Sequence, residues 1–222
     1  MAGSSEQSMR RGAGVACVVL LVALLWFFPL FRVVPLNSTH GTTVTGAATT
    51  TFDPAAVAAR LWSTELPTAA QRAADAATVA ADIRANPEVA RKKHGGSAGL
   101  GTAYYFVRGT GKVVSLDRNY LRLRLAGSSD TLVALRVGPV FGNVVRDGCG
   151  LLDVNKVPGL QEYNALAAEL NALVEKNVQP HLRQAGVGAS VTFAGCSEAP
   201  ETAAAPGEPI LNIVPVLAEI QQ

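Results

Sequence analysis

An uncharged apolar run near the start of the chain limits its folding more than any other feature. The run covers residues 12–31, GAGVACVVLLVALLWFFPLF, and contains no Asp, Glu, Lys or Arg. In an α-helix, at about 1.5 Å per residue, it would span roughly 30 Å, which is the thickness of the hydrocarbon core of a bilayer. We therefore expect this run to enter a membrane and the remaining chain to fold separately from it.

Two interpretations of the run stay open. A retained transmembrane anchor over residues 12–34 is favoured, because the run exceeds the roughly 7 to 15 apolar residues of a signal sequence and ends in aromatic residues. A cleaved, signal-like segment is the alternative, since Arg10 and Arg11 precede the run as basic residues precede a signal core. Cys17 does not fit lipid attachment, because the apolar run continues after it.

The flanking charges predict the orientation of the chain. Arg10 and Arg11 precede the run and a single Arg32 follows it, so the positive-inside tendency makes residues 1–11 a cytoplasmic tail. The small polar residues 35–51 then form a flexible spacer, and residues 52–222 form an extracytoplasmic domain on the periplasmic side. Lys and Arg number 19 against 17 Asp and Glu, and this near balance argues against a nucleic-acid partner.

The extracytoplasmic domain is predicted to start with a helical part, residues 52–96. Phe52, Asp53 and Pro54 form a helix start, in which Asp53 caps and Pro54 occupies the first turn, and Trp62 lies on the apolar face of this helix. A second helix is expected over about 68–85. The Asn86-Pro87 pair should end it before a short helical turn over 89–93.

At Thr102 the spacing of apolar residues changes from the helical period of about 3.6 residues to the strand period of two. Residues 102–222 are predicted to form a small β-barrel. Strands are expected at 102–108, 111–117, 120–125 and 132–140, with Gly109 and Gly111 in a hairpin turn. A helix over 161–182 and strands at 189–195 and 210–220 follow. This order is that of an OB-type barrel, so the predicted fold is α+β: an N-terminal membrane helix and helical segment, then an OB-like barrel with one inserted helix.

One strand offers a candidate contact surface. In YLRLRL, the three leucines should face the core, while Tyr120, Arg122 and Arg124 should face outward. OB-folds bind ligands with such a face, although a merely solvated face has the same pattern. No metal-ligand spacing, cofactor motif or nucleophile motif is present, so we expect neither an enzyme nor a cofactor. Cys149 and Cys196 either form a disulfide or remain free thiols.

A broken strand, VGPVFGNVVRDG over 137–148, is the second candidate. Gly138, Pro139 and Gly142 interrupt it before Arg146 and Asp147. In an extended strand these two side chains point to opposite faces, so we predict that they do not pair with each other. A fold-defining bend closed by an Asp–Gly turn is the favoured interpretation, and contact of Arg146 and Asp147 with a ligand or partner is the alternative.

Taken together, these motifs resemble the DUF2291 family of predicted bacterial periplasmic lipoproteins. The resemblance rests on Phe52-Asp53-Pro54 with Trp62, on Gly109 and Gly111, on the run from Gly138 to Asp147, and on a helix with Tyr163, Asn164 and Asn171. It implies a role beside simple-sugar ABC importers, whose genes often neighbour the family, and it implies no catalytic residues. This chain lacks a proper lipobox, so its membrane helix would replace the lipid.

The functional hypothesis is a membrane-anchored, extracytoplasmic, non-enzymatic accessory protein that assists a simple-sugar ABC import system. Its contact surface would be the broken strand, 138–147, together with the Arg122 and Arg124 face. Two alternatives remain: a receptor that binds a sugar directly in the barrel, and a purely structural envelope protein.

Overall fold

The computed structural model of the chain describes residues 52–97, 102–128 and 130–221. The predicted cytoplasmic tail, membrane anchor and spacer lie outside these residues. Among the helices within the described ranges, none is both long and apolar enough to cross a bilayer.

The N-terminal part is helical, as predicted. Helix α1, Pro54–Arg60, continues through a wider π-helical turn, Leu61–Glu65, into α2, Leu66–Gln71. The Asp53 carboxylate accepts the backbone N–H groups of Ala55 and Ala56 at 2.9 and 3.2 Å, which confirms the predicted helix start.

The single helix predicted over 68–85 is wrong, because the chain extends between Arg72 and Asp75. Strand β1, Ala74–Asp75, pairs in parallel with Val107 and Arg108. Asp75 then accepts the N–H of Thr78 at 2.8 Å and caps a new helix, α3, Ala76–Ala85. A run of alanines hides this interruption, since it carries almost no periodic signal. Helix α4, Pro87–His94, and the short strand β2, Gly96–Ser97, follow.

Five strands form a closed barrel. They are β3, Ala103–Leu116; β4, Tyr120–Leu125; β5, Leu132–Arg136; β6, Ser190–Glu198; and β7, Asn212–Gln221. The order around the barrel is β3-β4-β5-β7-β6 and back to β3, with β5 and β7 parallel and the other barrel pairs antiparallel. Between β5 and β6 lie α5, Val144–Gly148; a 3₁₀ turn, Val154–Lys156; α6, Leu160–Asn177; and α7, Gln179–Leu182. The predicted OB-like order, with the main helix after the third barrel strand, is confirmed.

The hairpin turn predicted at Gly109 and Gly111 is wrong, because β3 runs through both residues. The strand pairs with β6 from Tyr104 to Lys112 and with β4 from Gly111 onward, so these glycines mark the point where it changes partner. A Cβ atom at Gly111 would lie 2.7 Å from the carbonyl oxygen of Arg124. The glycine therefore permits close approach of two strands and does not reverse the chain.

The buried apolar residues form two clusters that share the barrel wall. The first fills the barrel, where Leu121, Leu123 and Leu125 are buried as their alternation predicted, and α3 covers it with Val79 and Ile83. The second lies outside the barrel, where α6 packs on α1, α5 and the strand β7, and α5 packs on β6. Its buried members include Ala58, Leu61, Val145, Cys149, Leu166, Leu170, Val174, Cys196 and Val214. Helix α5, which carries Arg146 and Asp147, is therefore anchored in this outer cluster.

Candidate functional site

The segment Val137–Asn143 leaves the barrel after β5 and has no strand partner. The N–H groups of Val137 and Gly138 still donate to the Asn119 carbonyl at 2.8 and 3.0 Å. Other backbone groups of the segment are bonded by four side chains spaced by four along α6, α7 and the residue after α7. These bonds run from Arg183 to the Val137 carbonyl at 3.0 and 2.5 Å, from Gln179 to the Gly138 carbonyl at 2.6 Å, from the Val140 N–H to Glu175 at 2.7 Å, and from Asn171 to the Gly142 carbonyl at 2.8 Å. Residues four apart lie on one helix face, so this polar ladder follows the segment along the helix.

The polar ladder fixes a segment that belongs to neither a sheet nor a helix. Leaving a buried backbone group without a partner costs about 1 to 3 kcal/mol, so each ladder bond to a buried residue removes a penalty of that size. Val137, Gly138 and Val140 are buried, while Pro139, Phe141 and Gly142 are exposed. The segment is therefore held along one side and presents the other to solvent.

Arg146 and Asp147 pair with each other, contrary to the prediction. The Arg146 Nε and Nη2 atoms donate to the two carboxylate oxygens of Asp147 at 2.7 and 2.9 Å. The prediction assumed an extended strand, whereas Val144–Gly148 forms a turn of helix in which neighbouring side chains do not point to opposite faces. Asp147 consequently binds Arg146 and does not close an Asp–Gly turn.

Tyr163 and Asn143 complete this buried group, which we call the Arg–Asp–Tyr cluster. The guanidinium carbon of Arg146 lies 3.5 Å from the centroid of the Tyr163 ring, and Arg146 Nη1 donates to the Tyr163 carbonyl at 3.0 Å. The Tyr163 hydroxyl donates to Asp147 at 2.9 Å, and the Asn143 amide donates to the other carboxylate oxygen. Burial and the neighbouring carboxylate raise the pKa of Tyr163, so it stays a neutral donor.

The charged side chains of the Arg–Asp–Tyr cluster are almost fully shielded from solvent. The side chains of Arg146 and Asp147 are only 5% and 4% exposed, and their opposite charges neutralise each other. The cluster fastens α5 to α6 and so supports the bend interpretation of this motif. A direct contact of Arg146 or Asp147 with a partner stays a prediction.

The Tyr120 face lies on the barrel, apart from the Arg–Asp–Tyr cluster. Arg122 donates to Asp117 at 2.7 Å, and Arg124 is exposed. The Tyr120 hydroxyl accepts a hydrogen bond from Arg136 at 2.6 Å, and the Arg136 guanidinium lies 5.0 Å from the centroid of that ring. Arg136 also donates to the Pro139 carbonyl at 3.1 Å, which joins this face to the exposed side of the broken strand.

Phe141 is the functional candidate that sequence reasoning passed over. Its side chain is 79% exposed, and it lines a cavity of about 540 Å³ together with Tyr120, Arg136 and Val144. The far wall is formed by the end of β6, at Glu198, and by Pro200 and Leu211 of the loop before β7. The sequence did contain a signal for an exposed aromatic residue at this position. Phe141 lies between Pro-Val and Gly, in a segment that Gly and Pro interrupt.

The two cysteines are free thiols in the structure, and both are buried in the outer apolar cluster. The two cysteines are close neighbours. Gly148 directly precedes Cys149, and a Cβ atom added at Gly148 would lie 3.1 Å from the sulfur of Cys196. Burial raises the pKa of Cys149, and it raises the pKa of Cys196 further because that thiol is fully enclosed. The disulfide considered from the sequence is thus not formed here.

The architecture defines an OB-fold barrel with a helical covering layer and a hydrogen-bonded loop that exposes Phe141 to solvent. A family model described as "Predicted periplasmic lipoprotein (DUF2291)" matches residues 19–219, and the chain belongs to that family. The resemblance of its motifs is thereby confirmed, and the family description is that of a membrane-associated, extracytoplasmic protein.

Among solved structures, the chain is similar to an OB-fold protein from Thermotoga maritima. The TM-score is 0.65 at 24% sequence identity, and the match covers 77% of this chain and 99% of that one. At this identity the likeness shows the fold. No curated protein matches the chain.

Replacing Arg146 by Ala should destabilise the domain severely, because it leaves the Asp147 carboxylate buried without its charge partner. We expect the free energy of unfolding to fall by about 3 to 5 kcal/mol. Chemical denaturation followed by tryptophan fluorescence measures this loss. Arg122→Ala is the matched control, since its pair with Asp117 has the same 2.7 Å separation but side chains 37% and 44% exposed. Because solvent screens this exposed pair, the control should lose far less stability than Arg146→Ala, and equal losses in the two variants would contradict the account.

The buried thiols should resist alkylation in the folded protein. In a Cys17→Ser background, iodoacetamide at pH 8 should leave Cys149 and Cys196 unmodified, because burial limits access and a raised pKa lowers the thiolate fraction. After unfolding without a reductant, mass spectrometry should find two alkylated cysteines. Finding none would show that they form a disulfide, and rapid native labelling would show that the outer cluster is open.

Proposed function

We propose that this protein is a membrane-attached, non-enzymatic accessory protein that contacts a component of a simple-sugar ABC import system. Membrane association and a periplasmic location agree with the description of its family. The retained anchor over residues 12–34 is part of the proposal, because it would keep the OB domain beside a membrane-embedded importer. The importer as partner rests on the role that the family resemblance implies.

The exposure of Phe141 on a segment held by side-chain hydrogen bonds is the observation that carries the proposal. A phenylalanine that is 79% exposed contributes little apolar burial to folding, yet the polar ladder holds the loop around it through the backbone groups of Val140 and Gly142. Binding sites lose less entropy when their anchor residues are ordered beforehand. Phe141 has the character of a preorganised anchor for another protein.

The cavity beside Phe141 strengthens this interpretation. Tyr120 and Arg136 line it, and each is fixed by the hydrogen bond and the cation–π contact between them. Aromatic residues and arginine are the types that contribute most to protein–protein binding. A volume of about 540 Å³ can receive a side chain of a partner while Phe141 packs against the partner's surface.

The neighbouring strands add a positive charge that lacks a partner. Lys112 on β3 and Arg124 on β4 are directly opposite each other, and both are exposed. Like charges in this arrangement destabilise a sheet, and neither forms an ion pair within the described residues. An acidic surface on the partner would relieve the repulsion and give the Arg122 and Arg124 face its proposed contact role.

A pull-down with Phe141→Ser tests the proposal. The full chain carrying an affinity tag would be recovered from membranes in a mild detergent, and importer permease, ATPase and substrate-binding protein would be quantified by mass spectrometry. We expect the wild type to recover at least one of these and Phe141→Ser to recover about tenfold less.

Val187→Ser is the matched control for the pull-down, because Val187 is 75% exposed and lies in the turn before β6. It should recover the importer component as the wild type does. Absence of every importer component from the wild-type sample, or equal recovery with Phe141→Ser, would refute the proposal.

A further inference from the structure

A second cleft lies on the other side of the loop that carries Phe141. It has a volume of about 550 Å³ and runs between the Val140–Asn143 segment and α6. This volume falls within the roughly 300 to 1,000 Å³ typical of small-molecule sites. The family-signature residues Asn164 and Asn171 both line it, as do Glu175 and Arg146.

The floor of the cleft is one face of α6. Asn164, Asn171 and Glu175 are separated by seven and four residues, so they align along the helix. Between them lie alanines, whose small side chains leave the space open, at positions 167, 168 and 172. Phe141 contributes an apolar wall, and Gly142, which has a positive φ of 80°, lets the loop curve around the opening.

The polar groups of this face have bonding capacity left over. Asn171 is only 7% exposed; its Nδ2 atom donates to Gly142, while its Oδ1 atom accepts no hydrogen bond from the described residues. Within those same residues, Glu175 uses one carboxylate oxygen for the Val140 N–H, and the Nδ2 atom of Asn164 has no acceptor. Asn164 and Glu175 are exposed, so the floor of the cleft presents two acceptors and one donor to a ligand from solvent.

The charges of the cleft select against an anionic ligand. Arg146 is its cation, and the bidentate bond to Asp147 already neutralises it. The Glu175 carboxylate adds a negative charge to the wall. Phosphate or carboxylate groups would find no free positive partner, whereas neutral hydroxyl groups could donate to Asn171 and Glu175 and accept from Asn164.

We propose that this cleft binds a neutral saccharide of about monosaccharide size. Its hydroxyl groups would bond to Asn164, Asn171 and Glu175, and the C–H face of its ring would pack on Phe141. This site lies outside the barrel, and it goes beyond the proposed accessory function because the chain would bind a ligand without any importer.

Ligand titration of the full chain tests this site. The chain would be kept in an amine-oxide detergent, because maltoside detergents carry a sugar headgroup, and titrated with glucose, galactose, xylose and ribose up to about 50 mM. Saturation-transfer NMR would detect binding. At least one sugar should bind saturably, and glucose 6-phosphate should bind no better than glucose. Lack of binding by all four sugars, or preference for the phosphate, would overturn the assignment.

Variants then locate the binding. Ala168 is exposed on the cleft floor, so Ala168→Phe should fill the cleft without disturbing the core and weaken binding by about tenfold or more. Ala81→Phe, at an exposed position of α3, is the matched control and should change affinity by less than about twofold. Glu175→Gln can still accept from Val140 and should also weaken binding. Unchanged affinity in Ala168→Phe would place the sugar elsewhere and refute the proposal.

The two proposals fail separately. Ala168→Phe should still recover importer components in the pull-down, because Phe141 and its neighbouring cavity are intact. Loss of sugar binding with full recovery of the importer would support both assignments. Sugar binding that persists in Ala168→Phe would count against the cleft alone.

Discussion

The hydrogen bonds from one helix face to the backbone of Val137–Gly142 are the interaction on which the rest of this structure depends. An OB barrel needs a connection from its third strand to the helix that covers it, and here that connection is neither strand nor helix. Asn171, Glu175 and Gln179 bond to the backbone groups that sheet pairing would otherwise satisfy. Because these residues are four apart, the helix also sets the position of each bonded group.

Two features on opposite sides of the loop follow from this constraint. Phe141 is lifted into solvent because its neighbours Val140 and Gly142 are bonded to α6. On one side it borders the cavity with Tyr120 and Arg136, and on the other it borders the cleft over Asn164 and Asn171. The Arg–Asp–Tyr cluster holds the end of the same loop against α6, so removal of Arg146 should loosen both sites together.

Strong local patterns in the sequence predicted the fold well. The leucines of β4 alternate without interruption, and the apolar stripe of α6 repeats at helical spacing, so the barrel order and its inserted helix could be inferred. Predictions failed where a residue served a contact distant in sequence. Gly111 resembles a turn residue, yet it is there because the carbonyl of Arg124 approaches to within 2.7 Å of where a Cβ would lie. Arg146 and Asp147 were placed on opposite faces only because a strand was assumed to continue.

The polar ladder itself was present in the sequence but was not recognised. Asn171, Glu175, Gln179 and Arg183 repeat every four residues beside the apolar stripe of Leu166, Leu170 and Val174. Polar residues at a regular helical interval beside an apolar stripe are also typical of the solvent-exposed face of any amphipathic helix, so the pattern alone does not indicate a bonded backbone. The tertiary fold determines which backbone groups these side chains bind. The exposure of Phe141 follows from their bonds to Val140 and Gly142.

Amide hydrogen exchange at Val140 tests this account most directly. If Glu175 holds the Val140 N–H as the 2.7 Å bond indicates, that amide should exchange about as slowly as Leu123 in the barrel, although it belongs to no sheet. Glu175→Ala should speed exchange at Val140 by about tenfold or more and leave Leu123 unchanged. Exchange of Val140 in the wild type at the rate of an open loop would contradict the claim that the polar ladder fixes this segment.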